Sequence, residues 1–266
     1  MAKRRFTILG CGSSPGVPRI TGDWGACDPA NPKNRRTRAA LLVEQIADDG
    51  SLTSIVVDTG PDFRGQMIAA GARALHAVVL THAHADHLHG IDDLRAFWLA
   101  TRSVVPAYAD DKTADRIQEA FAYCLKSARG SAYPPIVGLN RIAPYETYTI
   151  DGAGGPIEIT PYRQIHGDGA SLGYRVGDFA YSCDVSAFPD ETLAVLRGLD
   201  IWALGALRYT THPSHLSVDQ ALEWIERLAP RHAVLTHMHN DLDYATLKAR
   251  LPTHVEPGYD GMQLAL

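Results

Sequence analysis

The densest chemistry in this chain lies in six residues, His82-Ala83-His84-Ala85-Asp86-His87, directly after Thr81. They follow the apolar run 77–80 and precede a helix-like run, 88–99. Three imidazoles and a carboxylate so close together cannot all be satisfied cheaply in an apolar core. At divalent cations they become ligands, because neutral imidazole and carboxylate suit zinc, manganese or iron. A turn at this point lets His82 and His84 face one ion and Asp86 and His87 a neighbouring one. A solvated, histidine-rich loop is the bland alternative, and the placement at the end of an apolar run argues against it.

Such ligands need rigid elements to bring them together. Strand-like runs fall at 6–9, 40–43, 55–57, 77–80, 157–160, 172–176, 179–182, 201–204 and 233–235. Helix-like runs fall at 111–125, 190–199 and 243–251, the last stopping at Pro252, and Ser217-Val218-Asp219-Gln220 has capping-box form before 221–228. Strands and helices mixed in both halves predict packed sheets with helices outside. The Gly-, Pro- and Tyr-rich stretch 130–155 reads as a long loop. No repeat or composition break marks a linker, so 1–266 is read as one domain.

The chain has 266 residues, 45% of them hydrophobic and 21% charged, enough to bury a core without disulfides. No apolar run is long enough to cross a bilayer. The basic start Met1-Ala2-Lys3-Arg4-Arg5 leads into an apolar run that ends at Gly10, too short for a signal core, so it reads as a first strand. Four scattered cysteines (Cys11, Cys27, Cys124, Cys183) form no Cys-x-x-Cys pair and fit a reducing cytoplasm. A net charge of -5 argues against a large nucleic-acid footprint. Asn34-Arg35-Arg36-Thr37-Arg38 reads as a solvated turn.

The His-x-His-x-Asp-His signature after a strand resembles that of metallo-β-lactamase-fold hydrolases. The resemblance implies an α+β, four-layer αββα sandwich. Other stations of that family recur in order: Asp58 in Val57-Asp58-Thr59-Gly60, His166 in Gln164-Ile165-His166-Gly167-Asp168, Asp184 in Tyr181-Ser182-Cys183-Asp184, and His237 in Leu235-Thr236-His237-Met238. It implies His82, His84 and His166 around one divalent ion, Asp86, His87 and His237 around another, Asp184 bridging the two, and Asp58 bracing the loop. Zinc and manganese both suit such donors.

Two neighbouring ions can ready a water for attack and offset the charge of a transition state. The leaving oxygen still needs a proton. In His212-Pro213-Ser214-His215-Leu216-Ser217, His215 stands just ahead of the capped helix and suits general acid work, whereas His212, before a proline, reads as a surface histidine. With Asp86, His215 completes the expected catalytic pair. The segments Leu9-Gly10-Cys11-Gly12-Ser13-Ser14-Pro15-Gly16-Val17-Pro18, Gly90-Ile91-Asp92-Asp93-Leu94-Arg95 and Pro257-Gly258-Tyr259-Asp260-Gly261-Met262 resemble the branch holding two groups. These are the phosphoribosyl cyclic phosphodiesterase of the carbon–phosphorus lyase pathway and, more distantly, the tRNA 3′-processing ribonuclease. In the first group the histidine matching His215 is the general acid, so the resemblance implies hydrolysis of a small cyclic phosphate or nucleotide-like diester.

Ser13 and Ser14 in the glycine loop, with Arg208 and His239, are candidate phosphate contacts, although a plain tight turn accounts for the loop equally well. Some relatives carry a cysteine-rich metal-binding insertion after that loop; here only Cys27 stands there, and a separate structural zinc is not expected. A tRNA-processing endoribonuclease and a non-catalytic metal- or nucleotide-binding accessory protein are the competing functions. No membrane partner is expected, and a homodimer is compatible with the sequence.

Overall fold

A computed structural model describes residues 3–127 and 129–266, so Met1 and Ala2 of the basic start lie outside the described residues. The first half of the chain supplies six strands: β1 (Lys3–Gly10), β2 (Ala40–Ile46), β3 (Leu52–Val57), β4 (Ala77–Val79), β5 (Val105–Ala109) and β6 (Val137–Arg141). The second half supplies β7 (Tyr148–Ile150), β8 (Ile157–His166), β9 (Gly169–Val176), β10 (Phe179–Ser182), β11 (Ile201–Gly205), β12 (His232–Thr236) and β13 (Val255–Pro257). The chain then returns to the first half as β14 (Met262–Ala265). Two seven-stranded sheets result, in the orders β14-β1-β2-β3-β4-β5-β6 and β13-β12-β11-β10-β9-β8-β7.

The sheets pack face to face, and their strands account for the apolar runs in the sequence. Leu41, Val43, Ile55 and Val57 point into the core between the sheets. Their neighbours Ala40, Leu42 and Val56 point the other way, into a second core under the helices. Both faces of these strands are buried, so the sequence there reads as continuous hydrophobic runs rather than alternation. Across the interface Phe6 on β1 stacks on Phe179 on β10, with ring centroids 3.9 Å apart.

Helices α1 (Phe63–Ala69), α2 (Ala85–Leu88), α3 (Arg95–Thr101), α4 (Asp111–Ala120) and α5 (Ala122–Leu125) belong to the first half, and α1, α4 and α5 bury Phe63, Met67, Ala114, Ile117 and Cys124 against the first sheet. Helices α6 (Asp190–Val195), α7 (Val218–Leu228) and α8 (Tyr244–Arg250) belong to the second, and Ala221, Ile225 and Leu247 join its core. The result is the four-layer αββα sandwich that the resemblance implies. The capping box is present: Ser217 Oγ accepts from the Gln220 N–H at 3.3 Å, and Gln220 Oε1 accepts from the Ser217 N–H at 2.9 Å. Among the described residues no helix is long and apolar enough to cross a membrane.

Several elements depart from expectation. The stretch 130–155 is not structureless: it holds β6 and β7, the edge strands of the two sheets, and carries the chain from one sheet to the other. Both strands are short and half-exposed, so neither shows an apolar period. The run 111–125 breaks at Phe121, where the backbone turns so that Cys124 enters the core and its carbonyl accepts from the Ile136 N–H. The run 190–199 is helical only to Val195. The run 88–99 is interrupted by a 3-10 turn, Ile91–Leu94, behind Gly90, where any Cβ would collide with the Gly60 carbonyl oxygen.

The arginine-rich turn is a correction. Arg36 is almost fully buried, and its guanidinium donates to the carbonyls of Leu242 (2.6 Å) and His239 (3.1 Å) and approaches Cys27 Sγ at 3.8 Å. Two backbone carbonyls stand in for water at its terminal nitrogens, while Nε has no partner. It ties the loop after β1 to the segment after β12.

Asp260 fastens a second junction. Its carboxylate accepts from the Cys11 N–H (3.0 Å), the Thr37 N–H (2.7 Å) and the Thr37 hydroxyl (2.6 Å). Burial pushes this carboxyl up to about 6 despite those donors. A folded-state pKa above the unfolded value of about 3.9 means that the proton-linked stabilisation is complete below about pH 4 and lost as pH rises through about 6. Asp260→Asn removes that dependence. Measured by urea unfolding, the stability of wild type minus variant should therefore fall by about 1–2 kcal/mol between about pH 4 and 7. A difference that stays flat with pH would show that Asp260 keeps an ordinary pKa.

Candidate metal centre

Strands β3 and β4 are parallel and end side by side, Val57 opposite Val79. Loops leave parallel strands at their carboxyl ends, where sites collect in sheets of this kind. Asp58 follows β3 with φ 68°, a left-handed conformation that costs a non-glycine residue of order 1 kcal/mol. This turn aims its buried carboxylate at the neighbouring loop. Oδ1 accepts from the Thr81 N–H (2.8 Å), and Oδ2 accepts from the Thr81 hydroxyl (2.9 Å) and from His87 Nδ1 (2.7 Å). The His87 ring is thereby fixed with Nε2 facing inward. The second sheet grips the same loop. The Leu172 N–H donates to the Thr81 carbonyl (2.8 Å), and the Tyr174 hydroxyl donates to the Leu80 carbonyl (2.6 Å).

The remaining stations arrive from the second sheet. His166 ends β8, and its Nδ1 faces the Ser214 carbonyl at 2.8 Å, which turns Nε2 toward the cluster. Asp184 stands just past β10 with its own carbonyl held by Ser171 Oγ at 2.6 Å. His237 follows β12 with φ 54°, a second strained turn aimed at the same point.

Two donor groups form around Asp184. In the first, His82 Nε2 and His84 Nδ1 are 2.8 Å apart, and His82 Nε2 and His166 Nε2 each lie 3.6 Å from Asp184 Oδ2. In the second, His87 Nε2 and His237 Nε2 lie 3.3 and 3.1 Å from the other oxygen, Oδ1. Asp86 Oδ2 joins this second group, 3.3 Å from His87 Nε2 and 3.9 Å from His237 Nε2. Each oxygen of one carboxylate thus serves a separate set of nitrogens.

This donor set fits divalent cations. His87 Nε2, His237 Nε2 and Asp184 Oδ1 are buried with no hydrogen-bond partner. Each such orphan costs about 1–3 kcal/mol unless something satisfies it. Burial raises carboxyl pKa values, yet His237 and His87 hold Asp184 well below the usual carboxylate range and Asp86 below it as well. Burial pushes His82 well down, and likewise His84, keeping both neutral. Ionised carboxylates and neutral imidazoles are the ligand states of zinc and manganese. His87 is the exception: against its burial, Asp184 and Asp58 hold it well above its ordinary range, so a cation binding there displaces its proton. One donor was not anticipated from the sequence: Cys183 Sγ lies within 4.8 Å of the ligand atoms of His87, Asp184 and His237. Its burial pushes the thiol well above its ordinary range.

His215 packs against both groups, its ring 4.7 Å from that of His166 and stacked 4.8 Å from that of His237. Burial, with His237 beside it, pushes its pKa down to about 3. His212, read from the sequence as a surface histidine, lies 5.1 Å from the His215 ring. Arg208 does not reach into the cluster: it donates to the carbonyls of Thr210 (3.2 Å) and Thr211 (2.7 Å) and shapes the turn that carries His215. His239 is likewise engaged, with Arg19 at 2.7 Å and Asp241 at 3.2 Å.

Three amides of the glycine loop are committed within the protein, as in a tight turn. The Gly12 N–H donates to the Thr37 carbonyl, the Ser13 N–H to the Met238 carbonyl and the Gly16 N–H to the Ser13 carbonyl. Ser13 is buried, its hydroxyl without a partner; Ser14 is exposed, and its hydroxyl donates to Asp86 Oδ2 at 2.7 Å. On the exposed His84 side a cleft of about 460 Å³ opens, bounded by His166, Lys112, Asp168 and Ser214. Lys112, at the start of α4, reaches across toward the β8–β9 turn, its Nζ 3.9 Å from where a Cβ on Gly169 would stand. Sequence reasoning missed it, since one lysine on a helix carries no local signal.

The beta-lactamase superfamily domain matches residues 53–238. A curated relative, an octanoyltransferase of Porphyromonas gingivalis, is 33% identical over 264 residues; these are 97% of this chain but 51% of the relative, so the chain spans about half its length. The crystal structure of a new diphosphatase from the PhnP family is 34% identical over 100% of this chain and 98% of that one, with a TM-score of 0.88. Human tRNase Z, short form, shares the fold at a TM-score of 0.66 and 15% identity, over 98% of each chain. The chain belongs to the beta-lactamase superfamily, has the metallo-β-lactamase fold and is similar over its full length to the PhnP-family diphosphatase, a fold that implies a divalent-metal site.

Proposed function

We propose that this chain is a binuclear metal-dependent phosphodiesterase acting on a small cyclic phosphate or nucleotide-like diester. The observation that carries the proposal is the division of the Asp184 carboxylate, Oδ2 toward His82 and His166 and Oδ1 toward His87 and His237. His82, His84 and His166 would hold one cation, Asp86, His87 and His237 the other, and Asp184 both. Zinc or manganese bound there supplies Lewis acidity, readying a water for attack near neutral pH and offsetting phosphoryl charge.

The protein's own groups do the rest. Asp58 fixes the tautomer and direction of His87, and Ser214 those of His166. His215 stands against both donor groups, where a scissile phosphate would bring its leaving oxygen. The anionic phosphate offsets the burial that depresses the imidazole, so that His215 can take up a proton and deliver it to that oxygen. The cleft beside His84 accommodates the remainder of the substrate, with Lys112 as its cation. Its modest volume and the net charge of -5 favour a small substrate over a large nucleic-acid footprint. The PhnP-family diphosphatase supports phosphoryl chemistry by its likeness over the full chain. Four buried free thiols suit a reducing compartment such as the cytoplasm.

Metal dependence comes first. Protein stripped with a chelator should lose hydrolysis of bis(p-nitrophenyl) phosphate and regain it with added Mn²⁺ or Zn²⁺, with two equivalents bound by elemental analysis. Asp184→Asn should lower turnover by about 10²–10³-fold or more. Undiminished hydrolysis by the stripped protein would refute the proposal.

The general acid is tested by leaving group. His215→Ala should cost about 10²–10⁴-fold on a diester with an alkoxide leaving group and far less on a p-nitrophenyl diester, with metal content unchanged. Equal losses on both substrates would remove His215 from that role.

A further inference from the structure

The Ser14 hydroxyl is the one element of the glycine loop that reaches the metal cluster, and the way its segment is held is unusual. On one side, the Cys11 N–H and the residue Thr37 are gripped by Asp260, 249 and 223 positions away in sequence. The Gly12 N–H donates to the Thr37 carbonyl at 2.8 Å, and the next residue, Arg38, donates from Nε to the Ser14 carbonyl at 3.1 Å. Arg38 is itself fixed by Asp62, 3.0 Å from its Nη1. On the other side, the Met238 N–H donates to the Cys11 carbonyl (2.8 Å) and the Ser13 N–H to the Met238 carbonyl (3.1 Å). Residues 11–14 therefore form a strap, bonded along both edges, that ends at the neighbour of His237.

From this strap Ser14 Oγ donates to Asp86 Oδ2, the same oxygen that faces His87 and His237. A carboxylate oxygen has two lone pairs, so one bond to Ser14 leaves the other directed into the cluster. An exposed serine would otherwise lose little by hydrogen-bonding to water. Its anchoring makes the contact persistent, and a persistent partner orients a ligand.

We infer that Ser14 and Asp260 are positioning residues: the strap anchored on Asp260 holds the Ser14 hydroxyl against Asp86 and so sets Asp86 for the second cation. This rests on the proposal above that Asp86 helps to hold that cation. It gives Ser14 a different role from a substrate contact. It also gives a purpose to a carboxylate, Asp260, that touches neither donor group.

The test is metal binding rather than turnover. Metal-free wild type, Ser14→Ala, Asp260→Asn and the double variant are titrated with Co²⁺, followed by visible absorption and calorimetry, with thermal melts to confirm folding. Wild type should bind two ions. Each single variant should weaken the second binding step about 10–100-fold and spare the first. The double variant should be no weaker than Ser14→Ala alone, because removing the hydroxyl removes the one contact through which Asp260 acts. Ser14→Ala, a small change at an exposed position, keeps the test valid should Asp260→Asn fold poorly. A second step unchanged in Ser14→Ala, or losses that multiply in the double variant, would overturn the inference while leaving the two-cation proposal standing. Binding of a single ion by wild type would overturn both.

Discussion

One fully buried carboxylate organises this protein. Asp184 stands at the end of a central strand with imidazoles facing each of its oxygens, and a charge so placed persists only where opposite charge or donors compensate it. The elements around it are arranged to bring those partners. β8, β10 and β12 each end at the same edge of the second sheet, releasing His166, Asp184 and His237 at one level. β3 and β4 do the same in the first sheet for Asp58 and the ligand loop. The two sheets are not merely packed by side chains at this edge. The Leu172 N–H and the Tyr174 hydroxyl bond directly to the backbone at Thr81 and Leu80, so the ligands from the two halves cannot drift apart independently.

How much of this the sequence revealed depended on how local each signal was. The ligand loop concentrates its donors in six residues behind an apolar strand, and little besides bound cations would satisfy so many of them there. Asp58, His166, Asp184 and His237 are single residues at strand ends, where an aspartate or histidine alone carries no signal; only their order, matched to a family, made them legible. The strands β6 and β7 were hidden because edge strands of five and three residues show no alternation. The bonds that hold loops near the site were hidden for another reason. Arg36 meets the His239 carbonyl across 203 positions and Asp260 meets Cys11 across 249, and no local pattern announces a partner so distant.

The glycine loop allows two readings from its sequence, an anion cradle and a plain tight turn. Glycines and serines after a strand can cradle an anion with their amides, and the loop does lie at the site. The amides of Gly12, Ser13 and Gly16 are committed to Thr37, Met238 and Ser13, as the tight turn requires. The loop acts instead as a rigid support, and only the Ser14 hydroxyl reaches the cluster. In the arginine run beside it, Arg36 is a buried tie between loops, not a solvated charge; two backbone carbonyls accept from its terminal nitrogens, while Nε has no partner.

The protein also accepts local costs where these ligands are set. Asp58 and His237 both adopt left-handed backbone, at roughly 1–3 kcal/mol each, and both stand directly after strands of the two sheets. Either turn would relax if the neighbouring bonds let it, yet Asp58 is held by Thr81 and His87, and His237 is flanked by Met238, which is bonded on both sides to residues of the glycine loop. Buried nitrogens without partners, at His87 and His237, add to the cost. Other left-handed residues, Arg102, Tyr145 and Ala229, and other unpartnered polar atoms stand elsewhere in the fold. Around Asp184 the two kinds of cost coincide beside a buried carboxylate and are held by bonds from both sheets, as a site set for a cation requires.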